Sequence, residues 1–152
     1  MTDHGIIAEG LFYEGYNCSQ SVLLAFEDVT GLDRETAALI SSSFGGGLSR
    51  MREVCGAVSG GAMVLGLVRG FTLPKTNAEK AAHYHLAQEF AKRFKEDNGS
   101  IICRELLQGV ERHHSLEPEE RTEEYYRKRP CPQIILKAAR ILDEILKEES
   151  SG

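Results

Sequence analysis

Residues 54–70 read VCGAVSGGAMVLGLVRG. This stretch decides the fold class, because it admits three readings. It stays apolar for only about fifteen residues before Arg69, whereas a membrane-spanning helix needs roughly twenty. Its centre, Val64 to Val68, has the length and composition of a buried strand. Cys55, Val58, Ala62 and Leu65, however, recur at helical spacing, which predicts a buried helix. Gly56 and Gly60 stand four apart, and so do Ala62, Gly66 and Gly70. Such a strip of small residues lets another helix come close.

Working outward from this segment, helix follows helix. Upstream, a first helix runs from about Asp3 to Tyr13 and stops at Gly15. Asn17 caps a second helix that carries Cys18, Val22, Phe26 and Val29 on one face and ends at Gly31. Asp33 caps a third helix with Ala37, Ile40 and Phe44, which runs into Gly45-Gly46-Gly47. Downstream, Pro74 breaks the chain. Asn77 caps a long helix from Ala78 to about Glu96, with Leu86, Phe90 and Phe94 as its apolar row and Asn98-Gly99 as its stop. Ser100 caps a short helix bearing Cys103, Leu106 and Leu107. The polar stretch from His113 to Arg129 reads as an irregular or partly helical surface excursion. The last helix begins at Cys131-Pro132, since proline suits the first helical position. Ile134, Ile135, Ala138, Ile141, Leu142 and Ile145 form its buried face. The expected architecture is all-α: a compact bundle of about six or seven helices in one domain spanning residues 1–152.

The bulk composition narrows the function. Hydrophobic residues at 41% and charged residues at 27% fit an ordinary globular chain. A net charge of −5 gives no attraction to nucleic acid. The basic run Arg127-Lys128-Arg129 follows Glu123 and Glu124 and reads as solvated surface. No basic leader with a long apolar core opens the sequence, so a cytoplasmic location and no membrane span are expected. Gly45-Gly46-Gly47 lacks the Lys-Ser or Lys-Thr of a phosphate loop and reads as a turn or close packing. Arg50 and Arg52 read as surface arginines that could also offset negative charge. His83 and His85 diverge on a helix, and His113-His114 lies in a polar loop, so surface histidine is the expectation for each. No Ser-His-Asp arrangement can be argued.

Four cysteines remain, and in a reducing compartment four thiols point to metal or redox chemistry more than to structural disulfides. Unrelated buried thiols are the plain alternative. Cys18, Cys55, Cys103 and Cys131 are 37, 48 and 28 residues apart, with no C-x-x-C pair. Any shared site must therefore be assembled by tertiary folding. Each cysteine lies on the apolar stripe of its predicted helix, and each falls near a helix start. Unpaired N–H groups and partial positive charge there favour a thiolate.

Cys55-Gly56-Ala57-Val58-Ser59-Gly60 fits C-G-A-x-x-G, with Cys18 before it and Cys103 and Cys131 after it. With the flanks Gly15-Tyr16-Asn17-Cys18-Ser19-Gln20 and Phe44-Gly45-Gly46-Gly47 followed by Arg50, the chain resembles the C_GCAxxG_C_C family of redox proteins over roughly Ala8 to Leu146. Arg52 stands where the resemblance leads one to expect a smaller residue, often glycine. A related module accompanies haem domains in split-Soret-type cytochromes, where it is associated with an iron–sulfur centre. The resemblance thus implies Cys18, Cys55, Cys103 and Cys131 as ligands of one cluster. No haem attachment motif C-x-x-C-H occurs.

The leading expectation is an electron-transfer or redox-sensing protein with a [2Fe–2S] or similar centre on four thiolates. A metal-free thiol–disulfide protein, and a structural zinc site or interaction module, are the alternatives. Its partner would be a redox protein or a small-molecule redox couple. The small-residue strip and the excursion after His113 permit a homodimer.

Overall fold

The structure, a computed structural model, describes residues 2–73, 76–110 and 116–151. Pro74, read above as a break, and His113-His114 lie outside the described residues. Nine α-helices appear among the described residues: α1 His4–Tyr13, α2 Cys18–Ala25, α3 Glu27–Thr30, α4 Arg34–Ser41, α5 Gly56–Arg69, α6 Asn77–Asn98, α7 Cys103–Leu106, α8 Glu123–Lys128 and α9 Cys131–Ser151. A single 3-10 turn, Ser42–Phe44, follows α4. The chain is all-α, and its β-type pairing among the described residues is an isolated antiparallel bridge between Val54 and Ile102. Residues 56–69 of the deciding stretch are therefore helical, as their period predicts. No helix of the described residues is long and apolar enough to cross a membrane.

Helix α2 forms the centre. Ser19 and every residue from Ser21 to Phe26 are buried, and α1, α4, α5 and α9 pack around the helix. Helix α6 lies against α5 and α9, where Phe90 and Phe94 close the core over Ile135, Leu142 and Ile145. The α2–α5 contact is close because glycine permits it. A Cβ on Gly60 would stand 2.6 Å from the carbonyl oxygen of Ser19, and one on Gly56 would stand 3.0 Å from the Cβ of Cys18. The other half of the expected small-residue strip does not pack: Ala62 and Gly66 are exposed. The contact face of α5 passes through Gly56, Gly60, Val64 and Leu65 instead.

Several boundaries differ from the sequence reading, each for a local reason. The second helix breaks at the buried Phe26, so Val29 lies in α3 and is exposed. Helix α4 begins at its Asp33 cap, as expected, but stops at Ser41. Ser41 and Ser42 turn their hydroxyls back onto the carbonyls of Ala37 and Leu39, the local competition that weakens serine in helices, and Ile40 is exposed. Thr76, not Asn77, caps α6, accepting from the backbone N–H of Glu79. Ser100 is not the cap of α7. Three residues ahead of the helix, its hydroxyl accepts from the N–H of Ile102 and donates to Glu105.

His4 went unnoticed in the sequence. It is buried and stacked on Phe26 at 4.1 Å, with Nδ1 2.6 Å from an Asp143 oxygen and Nε2 2.9 Å from an Asp28 oxygen. The ring thereby ties α1 to α3 and α9.

Candidate redox site

All four cysteines stand at a helix start. Cys18, Cys103 and Cys131 are the first residues of α2, α7 and α9, and Cys55 occupies the cap position of α5. Asn17 sets the first of these through a capping box: its side chain accepts from the N–H of Gln20, and the Gln20 side chain accepts from the N–H of Asn17.

Two devices bring these remote positions together. The Val54–Ile102 bridge lays the two flanking segments side by side. The N–H of Cys55 donates to Ile101 at 2.8 Å, and the N–H of Cys103 donates to Glu53 at 2.6 Å. Packing of α2 on α9 brings Cys18 to Cys131, where the Cys18 thiol hydrogen-bonds the Cys131 sulfur. The close approach of Gly56 to Cys18 joins the two pairs, and all four cysteines line one cavity of about 610 Å³. All four are free thiols, and among the described residues no three His, Cys, Asp or Glu side chains are arranged to hold a single metal ion.

The glycine run forms the wall beside Cys103. Gly46 and Gly47 have positive φ, and so do the non-glycine residues Leu48, Ser49, Arg50 and Arg52, at 48° to 66°. A Cβ on Gly47 would stand 2.7 Å from that of Cys103. The run is thus a turn in close packing, as expected, but it continues as a left-handed bend through four residues that pay a steric cost there, and such strain clusters at functional sites.

Charge is where the structure departs furthest from the sequence reading. Among the described residues, Arg50, Arg52, Arg121 and Arg129 line the cavity, against the one carboxylate of Glu119. Arg50 and Arg52 are half-buried, not surface residues. Arg129, read as part of a solvated run, is buried: its Nη2 meets Glu119 at 2.8 Å, and its guanidinium lies 4.7 Å from the Tyr125 ring. Only Arg127 and Lys128 of that run are exposed. Arg121 donates to the carbonyls of Phe12 and Tyr16 and covers the Phe12 ring. Arg52 Nη1 lies 3.8 Å from Cys103 Sγ, while its Nη2 is shut off from solvent without a hydrogen-bond partner.

These surroundings divide the thiols. Helix starts were expected to favour the thiolate at all four, yet three are raised. Cys18, half-buried, is raised chiefly because its S–H is committed to Cys131 and further because its thiol is desolvated. Burial pushes Cys55 up to about 12 and raises Cys103 against the opposing pull of Arg52. Cys131 alone is lowered: the Cys18 S–H donated to it outweighs its burial, and Arg129, Arg121 and Arg52 add to the effect. Its place at the start of the 21-residue α9, against eight residues for α2, agrees with this direction.

Glu119 anchors the segment that forms the far wall. Burial pushes its carboxyl up, but its own backbone N–H, Arg50 and Arg129 outweigh this and hold it at about 2, against an ordinary 4.5. A carboxyl lowered on folding stabilises above its unfolded value and loses that contribution as pH falls through the folded one. The stability difference between the wild type and Glu119→Gln should therefore be full above pH 5 and vanish toward pH 2. Urea midpoints measured across that range check it; a difference that grows on acidification contradicts it.

The family described as "Putative redox-active protein (C_GCAxxG_C_C)" matches residues 16–145. The chain belongs to this family. No curated protein and no solved structure matches it.

Proposed function

We propose that the four cysteines act as one redox unit, with an iron–sulfur centre of the [2Fe–2S] kind held by Cys18, Cys55, Cys103 and Cys131. The observation that carries this is the convergence of four sulfur donors, from four separate helix starts, on one cavity rich in guanidinium groups. The donor set fits the group: four thiolates suit iron–sulfur chemistry, and their combined negative charge needs the excess of positive charge that surrounds them. Such a centre supplies one-electron transfer. The protein's own part is to desolvate the thiolates, to offset their charge through Arg52, Arg121 and Arg129, and to hold the loops close through Gly47 and Gly56. Zinc suits thiolates as well, but it is redox-inert, which fits the family poorly.

The Cys18–Cys131 contact favours a second reading, a metal-free dithiol. There the Cys131 thiolate attacks a disulfide of the partner and releases one of its sulfurs as a thiolate. Cys18, its proton passing to the released thiolate, then attacks the Cys131 sulfur and displaces the second sulfur as a thiolate, leaving a Cys18–Cys131 disulfide and a reduced partner. In either reading the partner is a redox protein or a small-molecule redox couple.

Anaerobic purification followed by iron, sulfide and visible-absorption analysis tests the first reading. Iron and sulfide in equal amounts with a visible chromophore are expected. A colourless protein that refuses reconstitution, yet loses two thiols on mild oxidation, would reject the cluster and leave the dithiol.

A further inference from the structure

We infer that the cavity is also a binding site for a small oxygen-bearing anion, a sulfate-like oxyanion or the carboxylate of a small organic acid, gripped by Arg52 beside Cys103. Three observations converge on it. The first is charge: among the described lining residues four guanidinium groups face one carboxylate, and Glu119 already serves both Arg50 and Arg129. The second is the orphaned donor. Arg52 lines the cavity, its Nη1 has a sulfur at 3.8 Å, and its Nη2 has no acceptor and no access to bulk water. A buried guanidinium N–H left unpaired is costly, so a native structure keeps one for a reason. Binding would draw this Nη2 toward the cavity that the side chain lines.

The third observation is backbone. Arg52 has a φ of 61°, in the left-handed region that favours glycine, at the end of a bend where Leu48, Ser49 and Arg50 are strained likewise. The fold accepts this cost and thereby carries a guanidinium to the wall next to Cys103. The planar fork of arginine matches the paired oxygens of a carboxylate or sulfate, which a lysine does not. The cavity volume, about 610 Å³, lies within the range of small-molecule sites. Cys103, 3.8 Å from Arg52, and Cys131 line the same cavity, so the anion would share it with the redox sulfurs.

The test uses full-length protein, reduced and metal-free, with four thiols confirmed by titration. Sulfate and acetate are added separately at constant ionic strength made up with chloride, and binding is read by calorimetry and by the shift in melting temperature. Sulfate or acetate should bind in preference to chloride, and the stronger of the two identifies the ligand class. Arg52→Gln should weaken that binding at least tenfold, and Arg52→Lys should not restore it. Arg140→Gln, an exposed arginine paired with Asp3 away from the cavity, should leave it unchanged. Wild-type protein indifferent to both anions, or Arg52→Gln binding as the wild type does while melting at the same temperature, would overturn the proposal. The redox reading fails separately, on its iron, sulfide and thiol analyses. Anion binding by a chain that neither takes up iron nor forms a disulfide would support this site alone.

Discussion

Iodoacetamide added to the reduced, metal-free protein at pH 7 should modify Cys131 first, with Cys18 and Cys55 far behind it. Only the thiolate reacts, so rates follow the ionised fraction. Cys55, pushed up to about 12 from an ordinary 9.0 by burial, has roughly a thousandfold less thiolate than a free thiol at the same pH. Cys131 is shifted the other way, chiefly by the S–H it accepts from Cys18. Its labelling rate should level off at a pH below that of free cysteine. Cys18→Ala deletes the donor, so Cys131 in that variant should label more slowly at pH 7, and its rate should level off at higher pH. Mass spectrometry of quenched time points gives the order. Cys55 or Cys18 reacting before Cys131 would show that the charge distribution around the cavity has been misassigned.

Two glycines on α5, six residues apart, should respond in opposite directions to the same substitution. Gly60→Ala forces a methyl to 2.6 Å from the Ser19 carbonyl oxygen. That atom belongs to the backbone of the central helix and cannot step aside, so α2 and α5 must separate. A loss of about 1–3 kcal/mol is expected, as for other overpacked cores. Gly66→Ala meets nothing within 4 Å and is exposed. It should gain up to about 1 kcal/mol from helix propensity alone. Urea unfolding of the two variants beside the wild type settles the comparison, and equal effects would mean that the helices do not meet where the structure places them.

The sequence was most readable where local chemistry acts alone. Asn17 and Asp33 cap helices because their side chains reach N–H groups two or three residues ahead, and Gly31 and Gly99 end helices with positive φ. Asn17 and Pro132 placed Cys18 and Cys131 at helix starts in this way, whereas Cys103 begins α7 although Ser100, expected to cap it, does not. What stayed hidden depends on the partner across space. Nothing near Cys55 or Cys103 announces that Val54 will pair with Ile102. Helix starts alone could not show that burial at Cys55 and Cys103, and pairing with Cys131 at Cys18, would outweigh the helix field. Arg129 sits in a charged run and looked solvated, yet a signal was present: Pro130 follows it. A residue before proline is pushed toward extended backbone, and Arg129, at φ −98° and ψ 137°, leaves α8 there and turns inward to Glu119. Arg52 offered a comparable hint, since a position expected to hold glycine is one where positive φ is required, and 61° is what it has.

The Val54–Ile102 bridge has a thermodynamic corollary. Forty-eight residues separate its two ends, and bringing such ends together costs about 3 kcal/mol of chain entropy. That ordering belongs to the folding of α5 and α6. An occupant arriving between Cys55 and Cys103 need not organise this half of its seat, so more of its intrinsic affinity survives as observed affinity. Preorganisation of this kind would also favour reloading of the proposed cluster: its loss to oxidation would leave behind a frame already shaped to take the next one.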